Sequence, residues 1–315
     1  MDDNEFMLFD RLQKIRSVIG QYGEENFYIS FSGGKDSCVL SALIDEALPG
    51  NTIPRVYANT GIELNMIRDF VERERERDAR IQIIQPAVPI RQTLEREGYP
   101  FKSKRHAKIV YSYQKIGMCH TTRMYIRTPG EVSKSGKTWR NENLCPKELM
   151  YQFTPDFKLK ISDKCCTRLK EQPLERWGRE HKRPFAVVGL VRQEGGRRDA
   201  AVCLLFHGDK LKNFQPLAPV SKAWEDWYIE RRGVRICDIY KPPYNFERTG
   251  CKGCPFNKNI QRELDTLDKF FPAERKQCEI IWKPVYDEYR RIGYRLKDGG
   301  RQMDISEFLG GDEDG

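Results

Sequence analysis

No apolar run in this 315-residue chain approaches the roughly 18 residues needed to cross a bilayer, so membrane-spanning helices are not expected. Internal repeats are also missing, which argues against solenoids and propellers. The opening residues, Met1-Asp2-Asp3-Asn4-Glu5, are acidic where a secretory leader is basic and then apolar, and a cytoplasmic location is expected. In that reducing setting the ten cysteines read as metal ligands or reactive groups more readily than as disulfides. Acidic side chains are nearly lacking from residues 102–140, where Glu131 stands alone against ten Lys and Arg. That one segment carries as much net charge as the whole chain, whose formal charge is +9, and it suggests a polyanionic partner. Tyr111, Tyr113, Tyr125 and Trp139 are interleaved with these charges. Bases can stack on such rings while cations neutralise phosphates, although a solvated basic face with packing aromatics accounts for the same letters.

What is present centres on Phe27-Tyr28-Ile29-Ser30-Phe31-Ser32-Gly33-Gly34-Lys35-Asp36-Ser37. Five aromatic and β-branched residues predict a buried strand. Two glycines let backbone N–H groups approach an anion, Ser32 and Ser37 add hydroxyls, and Lys35 adds charge. The spacing of Val39, Leu40, Leu43 and Ala47 continues as a helix whose N-terminus faces that anion. The bland alternative is a Gly-Gly turn between two core elements.

Before this loop, Phe6, Phe9, Leu12, Ile15 and Ile19 have a helical period. After it, strands are expected at 54–58, 81–84, 185–190 and 201–206, with a helix through Leu64, Ile67, Phe70 and Val71. Alternation of this kind favours a parallel α/β sheet with ligands at the carboxyl ends of the strands, where Ser32 and Asn59 fall. Ser162 or Asp163 is read as capping a short helix that Pro173 closes, and Trp224, Trp227, Tyr228 and Ile229 mark an amphipathic helix introduced by residues 213–217. The last third is helical, ending in an acidic tail at 298–315.

Cys165 and Cys166 are adjacent, and Cys251 and Cys254 form a Cys-x-x-Cys pair. Four thiolates suit tetrahedral zinc or an iron–sulfur cluster. Neighbouring side chains diverge, which is awkward around one small ion and easier around a wide cubane. Cys38, Cys203 and Cys237 read as core, Cys145 as a substitute ligand or reactive thiol, and Cys119 stays unassigned.

Ser30-Phe31-Ser32-Gly33-Gly34-Lys35-Asp36-Ser37 resembles the pyrophosphate loop, or PP-loop, of the adenine-nucleotide α-hydrolase superfamily, and it is not a Walker A loop. The Cys165-Cys166 and Cys251/Cys254 pairs resemble the signature of 4Fe–4S adenosine phosphosulfate (APS) reductases and related phosphoadenosine phosphosulfate (PAPS) reductase-like proteins. Gly189 to Arg192 with Arg197 and Arg198, and Pro216-Leu217 through Ile229, extend the likeness over most of residues 27–256. The resemblance implies a Rossmann-like parallel sheet with flanking helices, a basic insertion and a helical C-terminal region. Its implied divisions are 1–97 and 161–256 for the two halves of the nucleotide domain, 98–160 for the insertion, 257–297 for the helices and 298–315 for the tail.

The implied site has Ser32, Gly33, Gly34, Lys35, Asp36 and Ser37 holding ATP, APS or PAPS with Mg²⁺, and Asn59, Thr60 and Gly61 near the nucleotide. Lys35, Asp36 and Arg192 are the implied catalytic groups, Arg197 and Arg198 bind the anion, and Cys165, Cys166, Cys251 and Cys254 carry a 4Fe–4S cluster. The family turn reads Asp-Thr-Gly, so Asn59 is a departure. The reductases' terminal Glu-Cys-Gly-Leu-His motif is also missing, and Lys35 is more usual in the ATP-cleaving members. The expected activity is therefore ATP cleavage at the α-phosphate that adenylates a substrate or supports sulfur transfer, as in DNA phosphorothioation enzymes and tRNA thiolases. A sulfonucleotide reductase using Cys278, Cys145 or a partner's thiol is the alternative. A cluster-bearing nucleic-acid-binding or sensor module is the non-enzymatic one. Expected partners are an adenine nucleotide, tRNA or DNA, and a redox or sulfur-donor protein, with no membrane.

Overall fold

The computed structural model of the chain describes residues 2–127, 144–191 and 202–297. In chain order its elements are α1 (Asp3–Tyr22), β1 (Phe27–Phe31), α2 (Lys35–Ala47), β2 (Arg55–Ala58), α3 (Asn65–Arg77), β3 (Ile81–Ile84), α4 (Ile90–Glu97), α5 (Lys104–Ile116), α6 (His120–Tyr125), α7 (Lys164–Cys166), α8 (Gln172–Glu180), β4 (Phe185–Val188), β5 (Leu204–His207), β6 (Lys210–Phe214), α9 (Lys222–Arg232), α10 (Ile260–Phe270) and α11 (Pro272–Arg291). They fall into two compact units, residues 1–92 with 166–252 and residues 93–165 with 253–315. None of the described helices is long and apolar enough to cross a membrane.

The first unit is built on a six-stranded sheet of order β3-β2-β1-β4-β6-β5, parallel except for the β5–β6 hairpin. The period of two along β1 explains why both faces are covered. Phe27 and Ile29 face a core shared with α1, α2 and α9, through residues such as Ile15, Leu43 and Tyr228. Tyr28 faces the other way, onto Val56 and Trp177 of α8. Strand order reverses at β1, with β2 on one side and β4 on the other, so a crevice opens at the carboxyl ends of β1 and β4.

Two local expectations change. In α1 the buried stripe runs through Leu8, Ile15, Val18 and Ile19, while Phe6 and Phe9 are 60% and 53% exposed. Pro173 does not close a helix. A π-helical turn at Thr167–Glu171 precedes it, and Pro173 lies in the first turn of α8, where a missing N–H costs little.

In the second unit α5 is capped by Ser103, whose hydroxyl accepts the His106 N–H at 3.2 Å. The buried His106 ring lies between the Tyr125 hydroxyl at 3.0 Å and Gln152 Oε1 at 2.8 Å. Burial pushes its pKa down to about 4, so the ring is neutral. Of the rings read as base-stacking platforms, Tyr125 is buried in this cluster, and Tyr113 is half-buried with an edge contact to Phe153. Tyr111 lies under Lys115 and Lys164, and Trp139 falls outside the described residues.

Candidate functional site

The loop between β1 and α2 is shaped by a hydroxyl network. Ser37 Oγ donates to the Gly34 carbonyl at 2.8 Å and accepts from the Ser32 N–H at 3.2 Å and the Ser32 hydroxyl at 3.1 Å. Ser32 Oγ in turn accepts the Gly34 N–H at 3.3 Å. Gly33 turns the chain at φ +68°, where a side chain would also strike Val71. Gly34 then caps α2, whose N-terminus concentrates partial positive charge at the loop.

Two distant segments complete the cavity. The Tyr240 hydroxyl accepts the Lys35 N–H at 3.2 Å and is bonded to Thr249 Oγ1. Gly189 after β4 lies so close that an added methyl carbon would be 2.9 Å from the Asp36 carbonyl oxygen. The resulting space is about 170 Å³, lined by Ser32, Gly34, Lys35, Ser37, Gly189 and Tyr240 among others. Pockets that take whole small-molecule ligands run from about 300 to 1,000 Å³, so this one matches a phosphate-sized portion of a ligand. Lys35 Nζ pairs with Asp226 at 2.9 Å, and that carboxylate is 66% exposed. Such a pair is worth about 0.2–1 kcal/mol, weak enough for an incoming phosphate to draw the ammonium away.

The Asn59-Thr60-Gly61 turn follows β2 in the same unit. Asn59 Oδ1 accepts the Gly61 N–H at 3.0 Å. Glu63 is tied to the turn by the Thr60 N–H at 3.1 Å and the Thr60 hydroxyl at 2.7 Å. Glu63 also pairs backbone to backbone with Cys251, and Lys170 Nζ reaches its carboxylate at 3.3 Å. Burial works against the Lys170 ammonium, but Cys251, Glu63 and Cys166 outweigh it and hold its pKa above the ordinary value. Cys166 and Cys251, expected as ligands from their spacing, are thus brought to one lysine.

Cys165 and Cys254 belong to the second unit. There the Tyr286 hydroxyl donates to the Gly253 carbonyl, beside Cys278, which is fully buried in α11. None of the ten cysteines forms a disulfide. Among the described residues no group of three or more His, Cys, Asp or Glu side chains is arranged to hold a metal ion. Burial pushes the Cys145 thiol up to about 12 despite nearby Lys102, which does not suit a nucleophile. Arg192, Arg197 and Arg198 lie outside the described residues.

The family model for the phosphoadenosine phosphosulfate reductase domain matches residues 26–257, from the start of β1 past both cysteine pairs. The chain belongs to this family. The PAPS reductase domain places it in the PP-loop adenine-nucleotide α-hydrolase superfamily, whose sheet and loop are those described above. Among solved structures the chain is similar to a phosphoadenylyl-sulfate reductase from Candida auris in phosphate complex. That match has 13% identity and TM-score 0.41 and covers 73% of this chain and 82% of that one. It is similar to the U34-tRNA thiolase NcsA from Methanococcus maripaludis with its 4Fe–4S cluster, at 16% identity, TM-score 0.38 and coverage of 96% and 85%. It is also similar to an NH3-dependent NAD synthetase from Campylobacter jejuni in complex with nitrate, at 11% identity, TM-score 0.42 and coverage of 94% and 99%. A search of the curated proteins gives no match.

Sequence reasoning did not reach Tyr240, Thr249, Asp226, Glu63 or Lys170. Tyr240 is 205 positions from Lys35, and no local pattern announces such an approach. A weak signal existed for Thr249, which immediately precedes the Gly250-Cys251 turn.

Proposed function

We propose that this PAPS reductase-domain chain is an enzyme that binds an adenine nucleotide at the β1–α2 loop and acts at its α-phosphate. Its reaction would cleave ATP between the α- and β-phosphates to adenylate an acceptor or support sulfur transfer. The observation that carries this reading is the small cavity where two serine hydroxyls, the N-terminus of α2 and Lys35 converge at the sheet's switch point. An acceptor nucleophile would bond to the α-phosphorus while the bond to the bridging oxygen breaks, and pyrophosphate would leave carrying the charge. The N-terminus of α2, and Lys35 once its ammonium is drawn from Asp226, would stabilise that charge, which is the main catalytic contribution expected of such a loop. The Asp36 carboxylate supplies hard oxygens of the kind Mg²⁺ takes, and the ion when bound would supply charge neutralisation. Arg192, Arg197 and Arg198 are proposed as further anion ligands on sequence grounds alone.

The spacing of Cys165, Cys166, Cys251 and Cys254 supports a 4Fe–4S cluster, to which no step is assigned. The basic segment 102–140 supports tRNA or DNA as the acceptor-bearing partner, with Arg105 and Lys108 of α5 exposed. A redox or sulfur-donor protein would complete the set. A second reading, reduction of APS or PAPS, is favoured by the family match. Cys278 is fully buried and Cys145 is held as a thiol, so this reading calls for a thiol from a partner. The test is product analysis of anaerobically purified protein offered ATP, APS and PAPS separately. AMP or an adenylated acceptor with pyrophosphate supports the first reading, sulfite supports the second, and no turnover of any of the three removes both.

A further inference from the structure

The outer face of α8 and the turn before it carry a second pocket, which the loop site does not use. It has a volume of about 310 Å³, lies within the first unit, and is lined by Ala87 of the β3–α4 connection and by Arg168, Gln172, Glu175, Arg176 and Arg179. Residues 168, 172, 176 and 179 recur at helical spacing, which sets their side chains along one face. The opposite face is anchored, since Trp177 is buried against Tyr28 of β1, so the arginines stand on a fixed support. Elsewhere in this unit Arg55, Arg80, Arg232 and Arg235 sit on carboxylates. The exposed guanidinium groups of Arg176 and Arg179 have no hydrogen-bond or ion-pair partner among the described residues, and the Glu175 carboxylate has no donor among them. Arg168 gives one bond to Gln172 Oε1 at 3.2 Å.

We propose that this pocket holds the sugar–phosphate backbone of paired RNA. The inference rests on a nucleic acid being the partner, and it adds where that partner is held and which kind it is. Three guanidinium groups against one carboxylate favour an anionic ligand, and the planar fork of arginine meets two phosphate oxygens at once. A bare phosphate would leave Glu175 facing a like charge. A ribose 2′-hydroxyl next to the phosphate answers it by donating to the carboxylate, and deoxyribose has no such donor. The lining holds no aromatic ring on which an unstacked base could lie, which favours backbone contact with a paired strand over the reading of a single strand. A volume at the low end of small-molecule sites accommodates one ribose-phosphate unit of that strand.

Fluorescence anisotropy on the full chain tests this with a short RNA hairpin and the DNA hairpin of the same sequence, between about 50 and 200 mM salt, where phosphate contacts weaken steeply. The wild type is expected to prefer RNA. Arg176→Gln combined with Arg179→Gln should flatten the salt dependence by up to about one counterion for each phosphate left unneutralised. Arg176→Lys combined with Arg179→Lys keeps the charge and should restore the slope. A loss that lysine does not restore marks a structural role and overturns the proposal. Glu175→Ala should narrow the preference for RNA roughly two- to tenfold, the scale of one net hydrogen bond. Arg75→Gln on α3, whose guanidinium pairs with Glu72 at 2.9 Å, is the control and should bind as the wild type does. RNA binding that neither the glutamine pair nor Glu175→Ala alters overturns the proposal and leaves a nucleic-acid partner in place, whereas no RNA binding by the wild type removes both. Equal affinity for the two hairpins overturns the assignment to RNA. AMP binding lost in the glutamine pair while the hairpin binds unchanged assigns the pocket to a free ribonucleotide and overturns it too.

Discussion

Gly189→Ala is the most searching single perturbation of the loop, because its effect is set by fixed atoms. The added methyl carbon would lie 2.9 Å from the Asp36 carbonyl oxygen, 3.1 Å from its carbon and 3.3 Å from the Ser37 nitrogen. All three are backbone atoms in the first turn of α2, so no side chain can rotate aside. Relief requires the end of β4 and the start of α2 to separate by a few tenths of an ångström, and overpacking of this kind costs about 1–3 kcal/mol. That displacement falls on the donors that would hold an anion. Losing one hydrogen bond to a charged group, about 1.5–3 kcal/mol, lowers affinity roughly 10- to 150-fold. Urea unfolding and calorimetric titration of ATP measure the two effects, with Gly20→Ala as the control. Gly20 lies in α1 with nothing within 4 Å of an added methyl, and alanine there should stabilise by up to about 1 kcal/mol while leaving ATP affinity alone. Wild-type affinity and wild-type stability in Gly189→Ala would refute the close approach of β4 to the loop.

Anaerobically purified protein is expected to be brown and to contain iron and acid-labile sulfide, and Ser at Cys165, Cys166, Cys251 or Cys254 should bleach it, because hard oxygens hold such iron poorly; metal analysis giving zinc without sulfide would end the cluster reading. Folded Glu225 keeps a proton that the unfolded chain, with the ordinary value of 4.5, gives up, so its stabilising contribution is complete below about pH 4.5 and is lost as pH rises through about 8. Wild type should therefore lose on the order of a few kcal/mol relative to Glu225→Gln between pH 5 and 8.5, read from urea midpoints, and an unchanged difference would contradict the buried acid. For the basic segment, replacing Lys104, Arg105 and Lys108 of α5 by Ala should flatten the salt dependence of tRNA or duplex binding by up to about one counterion for each phosphate left unneutralised, as followed by fluorescence anisotropy. No saturable binding at low salt would remove nucleic acid from the proposed partners.

The strand, loop and helix from Phe27 to Ala47 were legible because local chemistry decides them: apolar β-formers, two glycines, then a helical period. β3 was legible for the same reason. β6 was not, since Lys210–Phe214 is short and half polar and is a strand by virtue of pairing with β4 and β5. Residues 213–217 were consequently read as leading directly into α9, which begins only at Lys222. Trp224 was read as core and is buried, but its neighbour Glu225 is buried as well, and residue type alone places a glutamate on the surface. The cavity walls beyond the loop, Tyr240 and Thr249, depend on long-range packing that no spacing encodes. For the cysteines, spacing suggested a set of four, and it gave no sign that within the first unit Cys166 and Cys251 lie near Lys170 and Glu63.

The central claim is that the β1–α2 loop binds the phosphates of an adenine nucleotide, and calorimetric titration of ATP and of inorganic pyrophosphate into wild type and Lys35→Ala tests it most directly. Both ligands should bind the wild type and compete for one site, and both should weaken roughly 10- to 100-fold in the variant, the scale of removing one charge-assisted hydrogen bond. Equal binding of both ligands to the two proteins, or no binding of either to the wild type, would contradict it.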